Sequence, residues 1–123
     1  MTRSQMQDHA RTWIAAWNRR DLAAVLSHYV DDAVFVSPKA ATFVGNAFIT
    51  GKADLEKYWS QALRRVEKIE FILDHTVCDP DAGELVVFYE ASLNGSRSRA
   101  CELMRFDAQG RQIGGEALYG AVL

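Results

Sequence analysis

From residue 4 to residue 18 the apolar side chains Met6, Ala10, Trp13, Ile14 and Trp17 return every three or four positions, so they form one stripe of an amphipathic helix. Asp21 stands where it can cap a second, shorter helix whose Leu22, Val25, Leu26 and Tyr29 again share a side. Ala33 to Ser37 is expected as a short strand closed by Pro38. Residues 39–50 mix small residues with Phe43, Val44, Phe48 and Ile49, a pattern expected for a loop or lid with room for one short strand. After Gly51 the helical period returns in KADLEKYWSQALRRV, whose Leu55, Tyr58, Trp59, Ala62, Leu63 and Val66 face one way.

The period then changes from 3.6 to 2. Ile69, Phe71, Leu73, His75 and Val77 alternate with Glu70, Ile72, Asp74, Thr76 and Cys78, which predicts a half-buried strand. Asp79 to Gly83 is a turn, and Glu84 to Leu93 a second long strand. Asn94-Gly95 signals a two-residue hairpin, because both central residues of a type I′ turn need positive φ. With that loop Leu93 faces Ser96, and counting back pairs Glu90 with Arg99, Tyr89 with Ala100 and Val87 with Glu102. One face of the hairpin then carries Phe88, Glu90, Arg99, Cys101 and Leu103. The other carries Val87, Tyr89, Ala91, Ser98, Ala100, Met104 and, against the charge pattern, Glu102. A turn at Asp107 to Gly110 leads to a last strand, Gln112 to Tyr119.

Three helices followed by a meander of long strands predict an α+β fold, with the helices stacked on one face of a curved, mostly antiparallel sheet. Such a sheet wraps its helices into a cone, and the open end is a natural pocket. At 123 residues and 49% hydrophobic content, the chain is expected to make one domain, residues 1–123, with a substantial core. The formal charge of −2, with both signs interspersed, provides no basic stripe, so nucleic acid is not an expected partner. No run approaches a membrane span, and MTRSQMQDHAR lacks the apolar stretch of a signal peptide; the expected compartment is the cytoplasm. Cys78 and Cys101 lack metal-site spacing and are expected as reduced, buried thiols, and neither a metal nor a cofactor is implied.

The stretches WNRRDL (17–22), HYVDDAVFVSP (28–38), GKADLEKYW (51–59), ELMRFD (102–107) and ALYG (117–120) resemble the SnoaL-like branch of the nuclear transport factor 2-like (NTF2-like) superfamily. The resemblance spans nearly the whole chain and implies the cone-shaped NTF2-like fold. Superfamily members include isomerases, cyclases, dehydratases and binding domains, so it does not fix an activity. Against the ketosteroid isomerases, the resemblance puts Ser37 where they have a catalytic aspartate base, Trp13 where they have an oxyanion-hole tyrosine, and Glu102 on their protonated second donor. Serine is no unaided base and an indole N–H is a weaker, differently placed donor than a phenol, so steroid isomerisation by their mechanism is not expected. Trp17, Tyr58, Met104 and Tyr119 fall on other pocket positions.

Glu102 is therefore the candidate catalytic acid or base, since a carboxylate facing an aromatic cavity has its charged form disfavoured. The residues expected to contact a ligand are Trp13, Trp17, Tyr29, Phe35 and Ser37 on the first elements, and Tyr58, Tyr89, Met104 and Tyr119 on the later ones. The expected function is binding of a small, mostly apolar molecule, with isomerase, cyclase or dehydratase chemistry through Glu102; the alternative is a non-catalytic binding or dimerisation module. His75 is expected as a core or strand-end histidine, and His9 and His28 at the surface. The outer sheet face, an apolar strip rimmed by charge, is expected to pair two copies of the chain.

Overall fold

A computed structural model describes all residues, Met1–Leu123. The first half of the chain holds α1 (Arg3–Asn18), α2 (Leu22–Leu26), β1 (Tyr29–Val36), α3 (Pro38–Val44), β2 (Phe48–Thr50) and α4 (Lys52–Arg65). The second half is all strand: β3 (Ile69–Asp79), β4 (Glu84–Leu93), β5 (Ser96–Phe106) and β6 (Gln112–Val122). One six-stranded sheet runs in the order β2-β1-β6-β5-β4-β3. Every neighbour pair is antiparallel except β1 and β6. The α+β architecture with helices against a mostly antiparallel sheet is the expected NTF2-like one, with four helices where three were predicted. No helix is long and apolar enough to cross a membrane.

Local chemistry accounts for the joints. α1 starts with a reciprocal cap: Gln5 N–H donates to Thr2 Oγ1 at 3.1 Å and Thr2 N–H to Gln5 Oε1 at 2.8 Å. At its other end the WNRRDL stretch ties three elements together. The Asn18 side-chain amide accepts from Phe71 N–H at 2.6 Å and donates to Phe71 C=O at 2.9 Å, pairing with β3 as a strand would. Arg20, with φ 59°, sends its guanidinium to the Leu63 and Val66 carbonyls at the end of α4. Asp21 Oδ1 caps α2 by accepting from Ala24 N–H at 3.0 Å. These residues fix how α1 and α4 stand over the sheet.

The β4–β5 register is the one counted from the hairpin: Leu93 opposite Ser96, Glu90 opposite Arg99, Tyr89 opposite Ala100 and Val87 opposite Glu102. Asn94 and Gly95 take φ 53° and 84°, the positive values that turn requires. Val87, Tyr89 and Ala91, with Ala100, Glu102 and Met104, are buried beneath the helices, while Phe88, Cys101 and Leu103 are half-buried on the far face.

Four expectations need correction. Tyr29 opens β1 rather than closing the α2 stripe, because Ser27 ends that helix and the chain pairs beside Gln112 from residue 29 onward. Residues 38–44 form a helix, not a loop: Ser37 Oγ accepts from Lys39 N–H at 3.2 Å, Pro38 occupies the first turn, and Gly45 ends it at φ 77°. β3 does not alternate throughout. Leu73 pairs with Tyr89 and His75 with Phe88, so Asp74 is an extra, unpaired residue that reverses the pattern beyond it. Thr76 and Cys78 turn inward, and Val77 is 53% exposed. Cys78 and Cys101 are free thiols, Cys78 buried but Cys101 only half-buried on the outer face.

Candidate functional site

Between the helices and the concave face of the sheet lies a cavity of about 300 Å³. Its floor and walls come from every layer: Trp13 and Trp17 from α1, Tyr58 and Trp59 from α4, Phe71 from β3 and Tyr89 from β4. These rings brace one another. Trp13 meets Tyr89 edge-on with centroids 5.3 Å apart, Trp17 meets Trp59 at 5.3 Å and 89°, and Phe71 lies 4.8 Å from Tyr89. Such pairs contribute about 0.5–1.5 kcal/mol each beyond burial.

Glu102 reaches this cavity from the middle of β5. It is 4% exposed, and its Oε2 has no hydrogen-bond partner within the protein. Burial pushes its pKa from 4.5 up to about 8, so the carboxyl is protonated at neutral pH. Trp13 and Trp17, which also line the cavity, each carry a buried indole Nε1 without a protein partner. Unpaired buried polar groups are costly in a folded chain, at roughly 1–3 kcal/mol each. Three residues with such atoms line this one cavity. No other carboxylate and no histidine lines the cavity.

The cavity wall also carries hydroxyls. Ser37 is 2% exposed and stands at the junction of β1 and α3. Burial raises the phenols of Tyr58 and Tyr119, and hydrogen bonding toward Ser37 offsets part of that shift in each. The mouth is edged by two cations resting on aromatic faces. Lys39 Nζ lies 4.4 Å from the centre of the Tyr119 ring, and the Arg65 guanidinium 4.6 Å from that of Phe43.

Of the residues expected to contact a ligand, the structure brings Trp13, Trp17, Phe35, Ser37, Tyr58, Tyr89 and Tyr119 to the cavity together with Glu102. Tyr29 and Met104 do not line it. Tyr29 lies beneath, where its hydroxyl accepts from Gln112 Nε2 at 3.0 Å, and Met104 is fully buried in the core farther along β5. Beyond the bulge His75 points outward, stacked on Phe88 with centroids 4.6 Å apart. His9 was expected at the surface and is 8% exposed, wedged against His28 and Phe106 at 4.7 and 5.0 Å. Burial pushes it down to about 4, with His28 adding to the shift and Gln112 opposing it. Its position, three residues after Met6, belongs to the α1 stripe, and this spacing was the signal for its burial. The cavity residues missed as ligand contacts in the sequence include Trp59 and Phe71 on the wall, and Lys39, Phe43 and Arg65 at the mouth. The Ser-Pro start and glycine stop around α3 were the available sign that residue 39 would be held in place.

The sequence profile of the SnoaL-like domain matches residues 10–113. A SnoaL-like protein of unknown function from Burkholderia thailandensis is 30% identical, with 98% of each chain covered and a TM-score of 0.88. An NTF2-like protein of unknown function from Burkholderia xenovorans is 19% identical over 96% of this chain and 85% of its own, at a TM-score of 0.75. A Kribbella flavida protein described as a candidate ketosteroid isomerase is 14% identical over 98% of this chain and 81% of its own, at 0.76. The last two likenesses speak to the fold alone. No curated protein matches the chain.

Proposed function

The chain belongs to the SnoaL-like family, and from that premise we propose that its cavity binds a small, mostly apolar molecule with a carbonyl or hydroxyl group, to which protonated Glu102 donates a hydrogen bond. The observation that carries this reading is the buried Glu102 carboxyl with an unpartnered Oε2, in a cavity lined also by Trp13 and Trp17, whose indole N–H groups have no partner in the chain. An acid held at about 8 is neutral at pH 7 yet near enough to give up its proton. Turnover at this site is proton transfer next to a carbonyl: the ionised fraction of Glu102 takes the proton from the adjacent carbon and, now neutral, returns it to the product, while hydroxyl and indole donors of the wall stabilise the enolate oxygen. Isomerisation, cyclisation and dehydration all begin this way.

Mass spectrometry of small molecules retained by the purified protein from a metabolite extract tests the binding. The expected result is one apolar carbonyl or hydroxyl compound held by wild type and by Glu102→Gln, with turnover lost only in the variant. A second reading, a binding module without turnover, is favoured by the absence of any partner base on the cavity wall. Retention of an unchanged molecule by both proteins supports that reading. If wild type retains nothing and Glu102→Leu is simply more stable, both fail.

A further inference from the structure

Resting on the cavity reading above, we infer that the ligand is an amphiphile whose far end is an anionic group, carboxylate or phosphate, held at the mouth between Lys39 and Arg65. The charge distribution of the cavity carries the inference. Its charged wall residues are Glu102, Lys39 and Arg65, and the acid sits deep on β5 while both cations stand at the mouth, on α3 and at the end of α4. None of the chain's ion pairs includes either cation, although Arg97, Arg99, Arg105 and Arg111 each hold a carboxylate. Neither cation at the mouth is therefore neutralised by an ion pair from within the chain.

The cations are also held in place. Lys39 crosses from α3 to rest on Tyr119 of β6, and Arg65 crosses from α4 to rest on Phe43 of α3. Each reaches across from a different element, and both line the same cavity. Burial lowers the Lys39 pKa, as happens to an ammonium packed against an apolar wall without a counter-charge; a bound anion reverses that. Between the two ends the wall is almost wholly hydrophobic, and about 300 Å³ equals the liquid volume of roughly ten waters, enough for a short chain or a ring. The ligand class that fits is a small oxo or hydroxy acid, or a phosphate ester of similar reach, with its polar atom at Glu102 and its charge at the rim.

The quenching or shift of intrinsic fluorescence from Trp13, Trp17 and Trp59 reads the binding of three matched probes, octanoate, octyl phosphate and octan-1-ol. At low ionic strength at least one of the anions is expected to bind wild type about tenfold or more tightly than the alcohol, the scale of a charge-assisted contact. Added salt is expected to erode that preference. Lys39→Met/Arg65→Met is expected to lose most of it while keeping its affinity for octan-1-ol. The better anion identifies carboxylate or phosphate. Equal affinity for all three probes, or an anion preference that the double variant retains, overturns the inference and leaves the cavity reading standing. If no probe perturbs the fluorescence, both fall. Should the double variant not fold, the two single variants and the salt dependence of wild type give the same decision.

Discussion

Glu102 couples the site to stability, and the sign of the coupling is fixed by its environment. Its carboxyl moves from 4.5 to about 8 on folding, so the unfolded chain releases a proton across a range where the folded chain keeps it. The contribution of the neutral acid is fully present below pH 4.5 and is lost as pH rises through 8. At about 1.4 kcal/mol per pKa unit, the loss reaches a few kcal/mol. Urea titrations of wild type and Glu102→Gln at several pH values are expected to diverge steadily between about pH 5 and 8, with wild type weakening relative to the variant, and to run parallel above. Curves parallel throughout would place the carboxylate in water. His9, pushed down to about 4, acts in the opposite direction, its contribution present above 6.5 and lost toward acid, but it is common to both proteins and cancels in their difference. The inward parity of Glu102 was readable in the sequence because a two-residue loop leaves no freedom in the pairing behind it. The unpaired state of its Oε2 was not, since that depends on which groups the helices bring from far along the chain.

Among the elements, the β4–β5 hairpin is locked by more than its turn. Asn94 Oδ1 accepts from Glu67 N–H at 2.8 Å and from Lys68 N–H at 3.0 Å, fastening the hairpin tip to the segment between α4 and β3. Asn94→Gly keeps the positive φ and loses both bonds, for an expected cost of about 1–2 kcal/mol; Asn94→Ala adds left-handed strain and costs about 1 kcal/mol more. Chemical denaturation measures both, and equal stability of the two variants would mean the backbone there is unstrained. The hairpin shows what sequence pattern conveys well, namely local rules with one solution. α3 shows the opposite. Only Ala40 of its seven residues is buried, so no apolar period announces it, and its signals are the capping serine, the first-turn proline and the glycine stop. The α2 stripe misled for a related reason. Tyr29 lies at helical spacing from Leu22, Val25 and Leu26, yet pairing with β6, a partner more than eighty residues away, claims it for a strand.

For the whole molecule, the helices cover one side of the sheet and leave the other open. That open side presents Ile72, Val77 and Leu118, each 45–53% exposed, among the Glu90–Arg97, Asp74–Arg99 and Glu84–Arg105 pairs. Charges of both signs around an apolar strip suit a two-fold partner, which meets the same surface reversed. The chain is expected to sediment as a dimer that Leu118→Arg splits without lowering the melting temperature; a wild-type monomer at micromolar concentration counts against it. The global shape followed from the order of helices and strands, because that order leaves few ways to bury both apolar faces. How the sheet bends was hidden, because its register breaks at several places, one of them within β3 where the apolar alternation runs on unbroken in the sequence. Asp74 has no opposite number on β4, and a strand one residue longer than its neighbour must bow. Were Asp74 instead paired in unbroken register, His75 and Val77 would swing beneath α1 while Thr76 and Cys78 turned to water, and an imidazole would stand where the cup now keeps its lining dry.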